Sequence, residues 1–244
     1  MPRTVDIVVP VYNEEACIDE FYARVERLGY ADALIFVDNA STDGTLKRIE
    51  RHPGLRVIRH TTNEGYGASV RHGIAASDAE FVIIIDADLE YPPESIPAVI
   101  GALREHPVVY CSRFLGVQPP AMPLVRRLGN RLVSALCGAL FRLHTTDLYT
   151  GMKGFQRRAL PLEMLARDGF EHGVEIAALI TLSGHRIKDL PVEYVPRQTG
   201  RSKMRHVPET LKLVYHIFAY WFRCIILARP LNPERNPRGP AAHP

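Results

Sequence analysis

Four times in its first 105 residues the chain passes from a short apolar run into a segment with helical spacing. The runs are Asp6–Val11, Ala33–Val37, Leu55–Arg59 and Phe81–Ile85; the helical segments are Glu14–Leu28, Asp43–Glu50, Gly65–Ala76 and Glu94–Glu105. Val108–Cys111 supplies a fifth strand. Runs that are apolar at consecutive positions belong to strands buried on both faces. Strands alternating with helices in this way predict an α/β fold with a mainly parallel central sheet covered by helices on both faces. Asn13 is the expected cap of the first helix.

The second half is less regular. Leu124–Leu143 and Gly173–Ser183 read as helices, Gly151–Gln156 as a short strand and Ile187–Val195 as a late one. A final helix is expected over Val207–Ala228, followed by a proline-rich tail that reads as disordered. With 46% hydrophobic residues and no internal repeat or linker, one domain over 1–206 is expected, then the helix 207–228 and the tail 229–244.

Polar chemistry begins where strands stop. Asp86-Ala87-Asp88 follows Phe81–Ile85 directly, at the strand end where open parallel sheets hold ligands. Two carboxylates this close repel unless a cation lies between them or one is protonated. Mg2+ or Mn2+ bridging a diphosphate is the natural cation, since such ions combine a few carboxylates with substrate oxygens. The competing reading is a turn or helix cap ahead of Pro92-Pro93. Asp38 likewise follows Ile35–Val37; it could accept from a ribose hydroxyl or a base N–H, or cap the next helix as Ser41 and Asp43 are expected to do. Tyr12, in the run Pro10–Glu14 that ends the first strand, offers an aromatic face for a base, or is a packed surface tyrosine. The amides of Gly65-Tyr66-Gly67 could receive an anion, or form a simple turn. His72, His106, His172 and His185 show no paired metal spacing and read as structural or surface residues.

Charge is unevenly distributed. From Arg201 onward eight basic residues face two acids, although the whole chain is only +3. Such asymmetry suits a polyanionic partner: phosphate, nucleic acid or an anionic membrane. No nucleic-acid motif is present, which argues against the second. The four cysteines, widely spaced, read as buried apolar residues in a reduced, cytosolic compartment.

In order, the stretches PVYNEE (Pro10–Glu15), VDNASTDGT (Val37–Thr45), NEGYGASVRHGI (Asn63–Ile74), DADLEYPPE (Asp86–Glu94), SRF (Ser112–Phe114), TGMKGFQRR (Thr150–Arg158) and VEYVPRQTGRSKMR (Val192–Arg205) resemble family 2 glycosyltransferases, which have a GT-A fold. The similarity is strongest to the branch containing dolichyl- and polyprenyl-phosphate mannosyl- or glucosyltransferases. It implies that Pro10, Tyr12, Glu14, Val37 and Asp38 surround the nucleotide, and that Asp86, Asp88 and Glu90 face the metal and diphosphate. Arg113 would help with the phosphates, while Arg127, Arg197 and Lys203 would engage an acceptor phosphate or close over the donor. Inversion at the anomeric carbon is also implied. The chain departs from the family at Asn39, where a second Asp is common.

The expected activity is metal-dependent transfer of a hexose from a UDP- or GDP-sugar to a polyprenyl phosphate. The alternatives are a soluble acceptor, favoured by the lack of transmembrane helices that many relatives carry, and a non-catalytic nucleotide- or membrane-binding module. In the final helix, Glu209, Lys212, His216 and Arg223 share one face, opposite Leu213, Val214, Phe218, Trp221, Phe222 and Ile225. That pattern suits a helix lying at the inner, cytoplasmic face of a membrane. Packing on the domain, or on a second copy in a homo-oligomer, is the alternative.

Overall fold

The computed structural model describes residues 3–116 and 124–196 (the side chains of 125 and 126 aside), and beyond them residues 215, 217–219, 221 and 222. Its strands are β1 (Val5–Val11), β2 (Leu34–Asp38), β3 (Arg56–Arg59), β4 (Phe81–Ile85), β5 (Val108–Ser112), β6 (Met152–Gln156) and β7 (Ile187–Pro191). Its helices are α1 (Ile18–Arg27), α2 (Thr45–Ile49), α3 (Tyr66–Ala75), α4 (Ile96–Leu103), α5 (Leu124–Phe141) and α6 (His172–Leu182). All seven strands form one sheet in the order β3-β2-β1-β4-β6-β5-β7. Pairing is parallel except on both sides of β6, which runs against β4 and β5.

Every residue of β1, β2, β4, β5 and β6 is buried, as continuous apolar runs require. Alternate side chains divide between two cores. One face carries Val8, Ile35, Ile84 and Tyr110, packed with Val70 and Ile74 of α3, Cys137 of α5 and Ile176 of α6. The other carries Ile7, Phe36, Ile83 and Val109, packed with Phe21 of α1 and Val99 of α4. The sheet is therefore covered on both faces, as the sequence predicts.

Several boundaries differ. Helix α1 begins at Ile18 rather than Glu14, and its N-cap, Cys17, makes no side-chain capping bond. Pro93–Ser95 form a 3-10 turn before α4. Arg142, at φ 57, ends α5 before Leu143. β7 stops at Pro191, short of Val195. Most of the helix expected over Val207–Ala228 lies outside the described residues, as does the tail. Within it, Ile217 is buried and Trp221 packs on the α3–α5–α6 core, whereas Phe218 and Phe222 are exposed. This corrects the reading that grouped Trp221 with Phe218 and Phe222 on one membrane face. Among the described residues no helix is long and apolar enough to cross a membrane, and Cys17, Cys111 and Cys137 are buried and outside any disulfide.

Candidate functional site

The parallel register sets the carboxyl ends of β1, β2 and β4 side by side. Pro10 lies opposite Val37 and Val11 opposite Asp38, so Pro10, Tyr12, Glu14, Val37 and Asp38 come together at one edge. Asp86 and Asp88 follow β4, the other neighbour of β1. The loops leaving these three strands hold Asn13 (φ 54), Ala40 (φ 60) and Leu89 (φ 62) in left-handed conformations. Each costs on the order of 1–3 kcal/mol, and such residues cluster at functional sites.

The first two loops interlock. The Asn13 N–H donates to Ser41 Oγ (3.0 Å), the Thr42 N–H donates to Asn13 Oδ1 (2.7 Å) and the Glu14 N–H donates to Thr45 Oγ1 (2.8 Å). Asn13 thus ties two loops together instead of capping α1. Asp43 Oδ1 accepts from the Thr45 N–H (2.9 Å) at the start of α2, although the cap position itself is held by Gly44 and Ser41 is taken up by Asn13. The buried Asp38 accepts long bonds from the Ser41 N–H, at 3.3 and 3.4 Å to its two oxygens.

Asp86 is gripped from two elements far away in sequence. Its Oδ1 accepts from the Tyr66 hydroxyl of α3 (2.7 Å), and its N–H donates to the Gly151 carbonyl (3.2 Å). A Cβ on Gly151 would collide with Asp86 Oδ2 and come within 2.8 Å of the Tyr91 ring. Burial pushes the Asp86 carboxyl up to about 6, against the opposing pull of the Tyr66 hydroxyl and of Lys153; Glu90 and Glu14 add to the rise. Lys153 is buried in β6 opposite Ile84, its ammonium 5.6 Å from the Tyr110 ring centre, and burial brings it down to about 8. Asp88 Oδ1 accepts from the Glu90 N–H (3.1 Å), and the turn at Leu89 leads into a buried Glu90.

This donor set suits a hard divalent cation. Asp86 and Asp88 set two carboxylates at one strand end, and burial makes the charged form of Asp86 costly, a cost that Tyr66 and Lys153 only partly offset. Asp86, Asp88 and Glu90 do not close into a three-ligand cluster; among the described residues that description fits His60, Glu64 and His72. An ion at the acidic pair would therefore complete its shell from substrate or water oxygens.

Arg113 is buried after β5. Its Nε and Nη2 donate to the two oxygens of the buried Asp147 at 2.7 and 2.8 Å, and Nη2 also donates to the Tyr149 carbonyl at 3.1 Å. Any phosphate contact from Arg113 would fall to Nη1. Arg127 lies half-exposed on α5, and Arg197 and Lys203 lie outside the described residues. The anion site considered at Gly65-Tyr66-Gly67 is overturned: the Gly67 and Ala68 N–H groups donate to the Asp168 carbonyl at 2.7 and 3.2 Å.

Sequence reasoning missed Tyr66, Gly151, Lys153 and Asp147. Lys153 left a trace, as a lone cation within the short strand-like run Met152–Gln156. It also missed the environment of His172, a buried ring edge-on to Tyr66 at 5.2 Å with neither nitrogen hydrogen-bonded.

A family model described as glycosyl transferase family 2 matches residues 6–161. Glycosyltransferase AglJ of Haloferax volcanii is 28% identical over 201 residues, covering 82% of this chain and 65% of its own length. The undecaprenyl-phosphate mannosyltransferase of Micrococcus luteus is 27% identical over 213 residues, covering 81% of this chain and 86% of its own. This chain thus spans just under two thirds of AglJ but most of the Micrococcus protein. The solved structure of glucosyl-3-phosphoglycerate synthase from Mycobacterium tuberculosis, in complex with Mn2+, UDP-glucose and phosphoglyceric acid, has a TM-score of 0.69 at 20% identity, covering 90% of this chain and 80% of that one. That likeness shows the GT-A-type fold.

Proposed function

The chain belongs to glycosyl transferase family 2 and is a glycosyltransferase, and we propose that it moves a hexose from a UDP- or GDP-sugar to a polyprenyl phosphate, with Mg2+ or Mn2+ at Asp86 and Asp88. The observation that carries this reading is the juxtaposition of a carboxyl raised to about 6 after β4 with the paired ends of β1 and β2. In it, Pro10, Tyr12, Glu14, Val37 and Asp38 surround the nucleotide, and Glu90 approaches the cation. A divalent cation bound there would offset charge on the leaving nucleoside diphosphate. Asp86 is held in place by Tyr66 and by the close approach of Gly151.

The acceptor phosphate is already ionised near neutral pH, so no strong general base is needed. Arg127, Arg197 and Lys203 are assigned to that phosphate, with Arg113 contributing through Nη1. The lipid acceptor is supported by the name of the Micrococcus relative. It is supported also by exposed Leu124, Leu128 and Leu132, four residues apart along α5, which suit contact with a membrane surface. Buried cysteine thiols outside any disulfide at Cys17, Cys111 and Cys137 accord with a cytoplasmic membrane face. A second reading, transfer to a soluble phosphate compound, is favoured by the phosphoglyceric acid in the similar Mycobacterium structure.

The test is a panel of UDP- and GDP-hexoses with Mg2+ or Mn2+, offered polyprenyl phosphate in vesicles or 3-phosphoglycerate in solution. Sugar recovered on the lipid supports the first reading. Sugar recovered only on phosphoglycerate replaces it with the second.

A further inference from the structure

A second cluster of metal-ligating side chains lies on the β2–β3 side of the sheet. His60 directly follows β3, Glu64 lies in the loop to α3, and His72 stands on α3. Each offers one ligand atom, and the three atoms lie within 4.8 Å of one another. We propose that His60 Nε2, His72 Nδ1 and the Glu64 carboxylate bind a zinc-class divalent ion, at a site separate from the acidic pair after β4.

The hydrogen bonding prepares His60 for this. Asn39 Oδ1 accepts from the Glu64 N–H at 2.8 Å, while Asn39 Nδ2 donates to Asn63 Oδ1 at 3.0 Å, which fixes the orientation of the amide. The ring nitrogen 2.9 Å from that oxygen, His60 Nδ1, must therefore be the one carrying hydrogen. The lone pair is left on Nε2, directed at His72 Nδ1 2.9 Å away. A histidine that donates its other N–H to a carbonyl is the usual arrangement behind a metal ligand. Nitrogens bound tetrahedrally to zinc at about 2.0–2.1 Å sit roughly 3.3 Å apart, so a few tenths of an ångström of separation would admit the ion. Glu64 Oε2 is 3.8 Å from His72 Nδ1, and the exposed Glu64 and half-exposed His72 can make that adjustment.

Two imidazoles and one carboxylate favour Zn2+ or Co2+ over Mg2+, which prefers oxygen ligands. Three protein ligands leave a fourth position for water. The His60 backbone N–H donates to the Asp38 backbone carbonyl at 2.9 Å, so the ion would link α3 to the strand end that carries Asp38. On this proposal His72, expected from the sequence to be structural or at the surface, is a ligand.

The test is Co2+ titration of tag-free protein, followed by visible absorption and by displacement with Zn2+. It is run on the wild type, His72→Ala, Glu64→Gln and Asp88→Asn, with circular dichroism to verify folding. The ion with the visible spectrum of nitrogen ligation should bind the wild type and Asp88→Asn alike, any further Co2+ at the acidic pair being lost only in Asp88→Asn, and affinity for the first ion should fall by more than about tenfold in His72→Ala. Glu64→Gln should also weaken binding. No binding to the wild type, equal binding in folded His72→Ala, or loss of binding in Asp88→Asn would overturn the proposal.

Discussion

Gly151 shows how one missing methyl group supports the candidate site. Its backbone runs so close to Asp86 and Tyr91 that any side chain must displace one of them. Gly151→Ala is therefore expected to destabilise by about 1–3 kcal/mol through overpacking. Moving Asp86 by a fraction of an ångström should also lower turnover by roughly ten- to a hundredfold. Melting curves and steady-state kinetics on the variant check both, and unchanged turnover would mean that Gly151 does not position Asp86. The placement of Asp86 and Asp88 at a strand's carboxyl end was legible in the sequence because carboxylates begin where an apolar run stops. Their supports were not, because Tyr66, Gly151 and Lys153 are brought to Asp86 by the pairing of β6 with β4 and by the packing of α3. Neither leaves a local signal. Asn13 misled for a related reason: it has the chemistry of a helix cap, but Thr42, 29 positions away, takes its side chain.

At the level of elements, the strands were read closely, since continuous apolar runs leave little freedom in assignment. The reversed direction of β6 was not legible, because a strand's own sequence does not carry the sense of its neighbours. Helix α6 brings a second cost that is visible only in the fold. Burial holds the His172 pKa well below its ordinary value of 6.5. The unfolded chain takes up a proton at His172 near pH 6.5 while the folded chain does not. Stability is therefore full above that pH and declines as pH falls below it, by at most about 1.4 kcal/mol per pH unit from this group. For a chain of this size each kcal/mol corresponds to about 2–4 °C. His172→Gln should flatten the fall in melting temperature between pH 6.5 and 5 relative to the wild type. Parallel curves would assign the acid sensitivity to other groups.

Across the whole molecule, two cores enclose a sheet whose strand ends form the candidate site, while the apolar surfaces of α5 and of Phe218 and Phe222 remain exposed. If these surfaces meet a membrane, the double variant Phe218→Glu, Phe222→Glu should reduce co-sedimentation with anionic vesicles without lowering the melting temperature. Retained binding would place the contact elsewhere. The central claim is that Asp86 and Asp88 hold the cation on which glycosyl transfer depends, and it is tested most directly by measuring sugar transfer from the preferred nucleotide-sugar by Asp88→Asn over a Mg2+ and Mn2+ series. Asp88→Asn should fold with the wild-type melting temperature and turn over at least about a hundredfold more slowly, as expected for the loss of a group that stabilises leaving-group charge. Full turnover with an unchanged metal requirement would contradict it.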